Sequence, residues 1–276
     1  MYLGFTLPTG TPTAIGSTAV GIRKFVELQM NSPRPPSAIN FTNVLPHIVN
    51  ESNDRPTQVL GTKSARILYD GGLRQLIIKL TSSPHEVAHR ILSRQIEKQA
   101  MNMGILSDLL PLGNTRVTSG DISKEPDSAF RPVTIPAGRD RRWPTVVIES
   151  GYSESTIHLR QMADLWISES NGQVNVVVII SIERARGRIL DEKWIPNPTP
   201  LSTGPALRSR GRSALREQSI TLTKAHNGPA AVTGAPLVIT FQEMFLRNPT
   251  TDTEKDFRIS EHDLQEIAKM VWDEME

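Results

Sequence analysis

Asp127 follows a proline in "KEPDSAF", and Glu149 closes the apolar run of "WPTVVIESGYSES". Two carboxylates at the ends of neighbouring strands can serve one hard divalent cation. Magnesium takes oxygen donors, keeps several waters, and is commonly held by one or two protein carboxylates together with substrate phosphate. An ion so held polarises a phosphate and lowers the pKa of an attacking water, so the pair points to cutting of phosphodiesters. Without an ion, Asp127 reads as a turn residue after Pro126 and Glu149 as a charge at a strand end. A glutamate inside "VVIES", beside a covered strand, is costly unless paired.

A second pattern competes. Residues 85–89 read "HEVAH", and on a helix that spacing puts His85 and His89 on one face for zinc, with Glu86 as general base. Its context is a helix start: "SSP" precedes His85, and Ser83, Pro84 and Glu86 have the form of a capping box with proline at the first helical position. Zinc hydrolysis also needs a third protein ligand, and Glu97 lies eight residues past His89 on the same predicted helix. The sequence therefore places both histidines on or near the exposed face of that helix. No nucleophile elbow, phosphate loop or dinucleotide fingerprint occurs.

The elements that must position these residues follow from periodicity. "ARILYD" and "RQLIIKL" predict two strands around the Gly71-Gly72 turn. A helix runs from Ser83 to Gly104, with Ala88, Ile91, Leu92, Ile96, Ala100 and Met103 on one face. "TRVTSGD", "SAFRPVTI" and "PTVVIES" predict strands, the last covered on both faces. A second helix starts at Ser153 or Ser155, carries Leu159, Met162, Ala163 and Trp166, and ends before Gly172. "VNVVVIISI" is the next buried strand, so a right-handed crossover forms the core. "RILDEKWIP" adds a strand, "SITLT" and "PLVITFQEMF" read as edge strands, and a last helix starts at Ser260. Trp143 and Trp166 read as packing residues.

The order helix, strand, strand, strand, helix, strand, with "PD" and "VVIES", resembles the restriction-endonuclease-like superfamily, whose motif is PD-(D/E)XK. The resemblance is closer to a large set of fungal proteins in which "PD" precedes a WP-x-x-V-x-E-x-G-x-SES segment, and it covers residues 124–180. It implies a nuclease in which Asp127 and Glu149 bind magnesium or manganese. The superfamily's lysine, two residues after the second acid, is Gly151 in this sequence. Relatives that move the basic group elsewhere nominate Lys124, Arg160 or Gln161 to assist.

The fold expected is thus α/β, a mixed sheet flanked by helices: a loosely structured arm over 1–60, a restriction-endonuclease-like core over 61–195, and a linker with C-terminal strands and helix over 196–276. Net charge is +2, but the stretch from Thr250 onward carries nine acidic residues against three basic ones, which leaves +8 on the rest. That asymmetry permits a positive groove for nucleic acid, to which Arg208, Arg210, Arg212 and Arg216 of "RSRGRSALR" contribute if the loop is not simply solvated. The chain has no cysteine, which excludes disulfide scaffolds and thiolate metal sites. With no signal-peptide pattern and no apolar run of membrane length, a cytoplasmic or nuclear protein is expected. The rival function is a non-catalytic interaction module on the same fold.

Overall fold

The computed structural model describes residues 7, 10–152, 156–198 and 212–275. The fold is mixed α/β, and the chain forms two compact units. The first begins with β1 (Thr13–Ile15), α1 (Ala19–Met30), β2 (Ala38–Thr42), α2 (Pro46–Asp54), α3 (Pro56–Leu60), β3 (Ala65–Asp70) and β4 (Gln75–Leu80). The chain then enters the second unit for α4 (Ser83–Asn102) and β5 (Leu109–Pro111), and comes back to complete the first with β6 (Val117–Ser119) and β7 (Ile122–Lys124). The sheet of this unit runs β1-β2-β4-β3-β7-β6, over a core of Ile22, Val26, Phe41, Ile48, Ile67 and Ile78.

Composition gives residues 1–60 as a loose arm, yet from Thr13 to Leu60 the chain is built of strands and helices. The Pro, Ser and Thr content that suggests an arm is capping chemistry: Thr18 accepts the Gly21 N–H at the start of α1, and Pro46 and Pro56 open α2 and α3. Proline suits a first turn because its missing N–H is one that the helix leaves unpaired there. Arg116 ties the returning segment into the same unit, donating to Glu125 at 2.7 Å, to the Val49 carbonyl at 2.8 Å and to Ser52 at 3.0 Å. The β3–β4 hairpin forms as its turn residues predict, with Asp70 opposite Gln75.

The second unit continues with β8 (Ser128–Pro132), β9 (Val146–Tyr152), α5 (Thr156–Glu169), β10 (Val176–Glu183), β11 (Arg188–Pro196), β12 (Ala214–Thr223), β13 (Ala231–Thr233), β14 (Leu237–Ile239), α6 (Phe241–Phe245), β15 (Phe257–Ile259) and α7 (Glu261–Asp273). Its main sheet runs β13-β12-β11-β10-β9-β8-β5. β9 and β10 are parallel neighbours joined through α5, the crossover expected from their two-sided apolar character. Val176, Val178, Ile180 and Ile182 of β10 face a core shared with α4 and α7, while α5 lies on β9 and β10 from the other side. "FQEMF", read from sequence as strand, is helix: Thr240 and Glu243 cap each other's backbone, a box that overrides the β-propensity of two phenylalanines. The start of the second helix at Ser153 or Ser155, and Arg208 and Arg210, lie outside the described residues. No helix among the described residues is long and apolar enough to cross a membrane.

β11 carries Asp191, Glu192 and Lys193 in succession, each less than 5% exposed. Alternation sends Glu192 towards α5 and its two neighbours towards the α4 side. Lys193 Nζ is paired with Glu217 at 2.6 Å and Glu243 at 2.8 Å. Asp191 sits opposite Ile180 and Ile220, its Oδ1 is buried without a hydrogen bond among the described residues, and burial pushes its pKa up to about 7. An acid raised in the folded state holds a proton that the unfolded chain has already released, so stability falls as pH rises from about 4 to about 7 and levels above. Asp191→Asn removes that dependence. In urea unfolding, the difference between variant and wild type should shift in the variant's favour by ~4 kcal/mol across this window; a constant difference would show that Asp191 does not titrate there.

Candidate functional site

β8 and β9 are antiparallel, with Ser128 opposite Ile148 and Phe130 opposite Val146. Asp127 immediately precedes β8, and Glu149 lies in the middle of β9. The two side chains turn to opposite faces of the sheet, Asp127 towards His85 of α4 and Glu149 towards Trp166 of α5. Both are buried, Asp127 at 2% and Glu149 at 3% exposure.

Their hydrogen bonds lead to different helices. Asp127 Oδ2 accepts from the Ser150 backbone N–H at 2.8 Å and the Ser150 hydroxyl at 3.3 Å, and lies 3.0 Å from His85 Nε2 on α4. Glu149 Oε1 accepts from Trp166 Nε1 on α5 at 2.6 Å, and Trp166 packs edge-on against Trp143 with ring centres 6.4 Å apart.

The other nominees are dispersed. Gly151, at the superfamily's lysine position, is buried in β9 opposite Ser181. Arg160 makes a two-pronged pair with Glu192 at 2.6 and 2.9 Å, and that hydrogen bonding raises its pKa further. Gln161 is half-buried on α5. Lys124 is buried in β7 of the first unit, paired with Leu68 and Val117 across the sheet.

Two features escape sequence reasoning. The first is Glu192. It shares a cross-sheet row with Glu149, both being opposite Ile179; burial pushes its pKa up, but hydrogen bonds from Arg160 and Arg216 outweigh that and hold it low. The signal was present in "LDEKW", three charges inside an otherwise apolar strand. The second is the pair of histidines. Expected near the exposed face, His85 and His89 are each 2% exposed, because polar partners await them on the sheet: Asp127 for His85, and Ser128 Oγ for His89 Nδ1 at 2.9 Å.

No protein-family model matches the chain, and no curated protein matches it. Among solved structures, the chain is similar to a protein from Anabaena variabilis described as a "putative nuclease belonging to DUF820", at 12% identity and a TM-score of 0.40, over 75% of this chain and 93% of that one. A likeness that loose assigns no residue a role.

The Trp166–Glu149 bond has a measurable signature. Trp166→Phe takes a donor from a buried carboxylate and should lower stability by about 1–3 kcal/mol beyond the packing loss. Glu149→Gln, a neutral group cheaper to leave buried, should recover part of that in chemical denaturation of the double variant. Additive losses would mean that the two side chains are not energetically coupled.

Proposed function

We propose that the chain is a metal-dependent nuclease, hydrolysing phosphodiesters with Asp127, just before β8, and Glu149, in β9, as its acidic pair. The observation that carries this reading is the burial of both carboxylates at the neighbouring strands β8 and β9, at 2% and 3% exposure, which is costly unless hydrogen bonds or charge offset it. Carboxylate oxygen is the donor type that magnesium and manganese take, so the donor set fits such an ion. When bound, it would supply charge stabilisation to the phosphate and acidify an attacking water. The sequence resemblance over residues 124–180 points the same way.

In this reading the residues of the chain have distinct tasks. Asp127, oriented by the Ser150 backbone N–H and by His85 on the α4 side, and Glu149, oriented by Trp166 on the α5 side, would be the carboxylates that serve the ion, one of them leaving its present partner to do so. With Gly151 in place of lysine, no side chain at that position takes a proton from water. Arg160 stays protonated and serves as an electrostatic group rather than a base, and Gln161 offers an amide on the same helix. Nucleic acid is the proposed partner.

The test is cleavage of single- and double-stranded DNA and RNA with magnesium or manganese. Asp127→Asn and Glu149→Gln should each lower the rate by at least about 100-fold, the range seen when one charge-stabilising group is removed, with melting temperature measured alongside. Arg160→Gln should slow it less, by roughly 10-fold, on the same reasoning. A wild-type protein that neither cuts nor retards any of these nucleic acids in low salt would refute the reading.

A further inference from the structure

The first turn of α4 brings three potential ligands together. Glu86 Oε1 lies 3.7 Å from His85 Nδ1, and Glu86 Oε2 lies 3.5 Å from His89 Nε2. One donor atom from each of the three residues lies within 4.8 Å of the others. Ligands bound to a tetrahedral zinc at its usual bond lengths stand about 3.4 Å apart, so both measured separations need only a small closure.

A second observation is independent of that clustering. His89 is 2% exposed, and its Nε2 is buried, points to the Glu86 carboxylate and makes no hydrogen bond among the described residues. Its other nitrogen is engaged, with Nδ1 lying 2.9 Å from Ser128 Oγ. His85 repeats the arrangement with the nitrogens exchanged: Nε2 faces Asp127 at 3.0 Å, and Nδ1 turns to Glu86. An imidazole whose far N–H is held by a carboxylate or another oxygen presents its near nitrogen as a fixed base, the usual support of a metal-binding histidine.

We propose that His85 Nδ1, the Glu86 carboxylate and His89 Nε2 bind a divalent first-row transition ion of the zinc type, with Asp127 and Ser128 as positioning residues. Two imidazoles and one carboxylate suit zinc and its neighbours rather than magnesium, which prefers oxygen alone. The positive end of the α4 dipole opposes a cation at this turn; Glu86 and Asp127 supply negative charge against it. The Glu86 side chain is 24% exposed, so the site opens to solvent on one side. Arg90 Nε, 3.0 Å from Glu86 Oε2 on a side chain 72% exposed, is the contact that an arriving ion displaces, and exposed pairs of that kind are weak. The arrangement differs from that of a zinc peptidase, in which the central glutamate acts as base. Its ligand atoms differ from those of the Asp127–Glu149 pair; Asp127 enters both readings, so Glu149 is the residue that separates them.

Full-length protein stripped with a chelator and dialysed would be titrated with zinc chloride by calorimetry and with cobalt chloride by visible absorption. One equivalent of either should bind, with micromolar or tighter affinity and cobalt bands of a low-coordinate nitrogen and oxygen site. His89→Ala and Glu86→Gln should each weaken binding at least about 10-fold, and Ser128→Ala by roughly 10-fold, the range for a lost supporting contact. Arg90→Ala should bind as well or better, and a large excess of magnesium should leave the zinc titration unchanged. Glu86 reaches the surface, so Glu86→Gln decides the matter should His89→Ala fail to fold. Absence of binding, unchanged affinity in Glu86→Gln, or displacement of zinc by equimolar magnesium would overturn the site. Since no readout involves cleavage, Glu149→Gln that keeps full zinc affinity while losing nuclease activity separates this inference from the proposed function.

Discussion

A carboxylate with no exposed surface is the constraint around which the second unit is arranged. The Asp127 side chain is wholly buried, and an ion in that position is tolerated only with hydrogen bonds to most of its lone pairs. The Ser150 backbone N–H and hydroxyl approach from β9 and the His85 ring from α4. Satisfying one group therefore fixes the pitch of a helix against the edge of a sheet. The Ser150 hydroxyl, 3.1 Å from the His85 carbonyl, reinforces the same junction. Specificity of this kind comes from charge that must be met, whereas apolar side chains on the same helix could slide by a methylene at little cost.

The same logic recurs on β11, where the chain solves the burial of charge in three ways within three residues. Lys193 is met by two glutamates, Glu192 by two arginines, and Asp191 by retention of its proton. Pairing with arginine keeps the charge and orders long side chains; protonation gives up the charge and leaves a polar group among isoleucines. Because Glu149 and Glu192 share one row across the sheet, the face beneath α5 is more polar than its valines suggest.

Legibility from sequence followed the range of the interaction involved. The crossover of β9, α5 and β10, the β3–β4 hairpin and the last helix were readable, since apolar period, turn glycines and capping residues are local signals. Partners were not. "HEVAH" says nothing of the Asp127 and Ser128 side chains 42 and 39 residues away that draw the histidines inward. Residues 13–60 misled for a related reason: proline and threonine disfavour structure within an element but promote it at an element's first turn, and composition does not record position.

The interleaving of the two units has a further consequence. The first takes residues 116–125 from inside the stretch that lies between His85 and Asp127. The chain is thus wound so that neither unit is a continuous segment, and recombination at any single breakpoint would divide at least one of them. A block ending at Ser82 would lack β6 and β7, and a block starting there would carry them without the strands they pair with. No single crossover therefore yields the two units as separate, complete blocks.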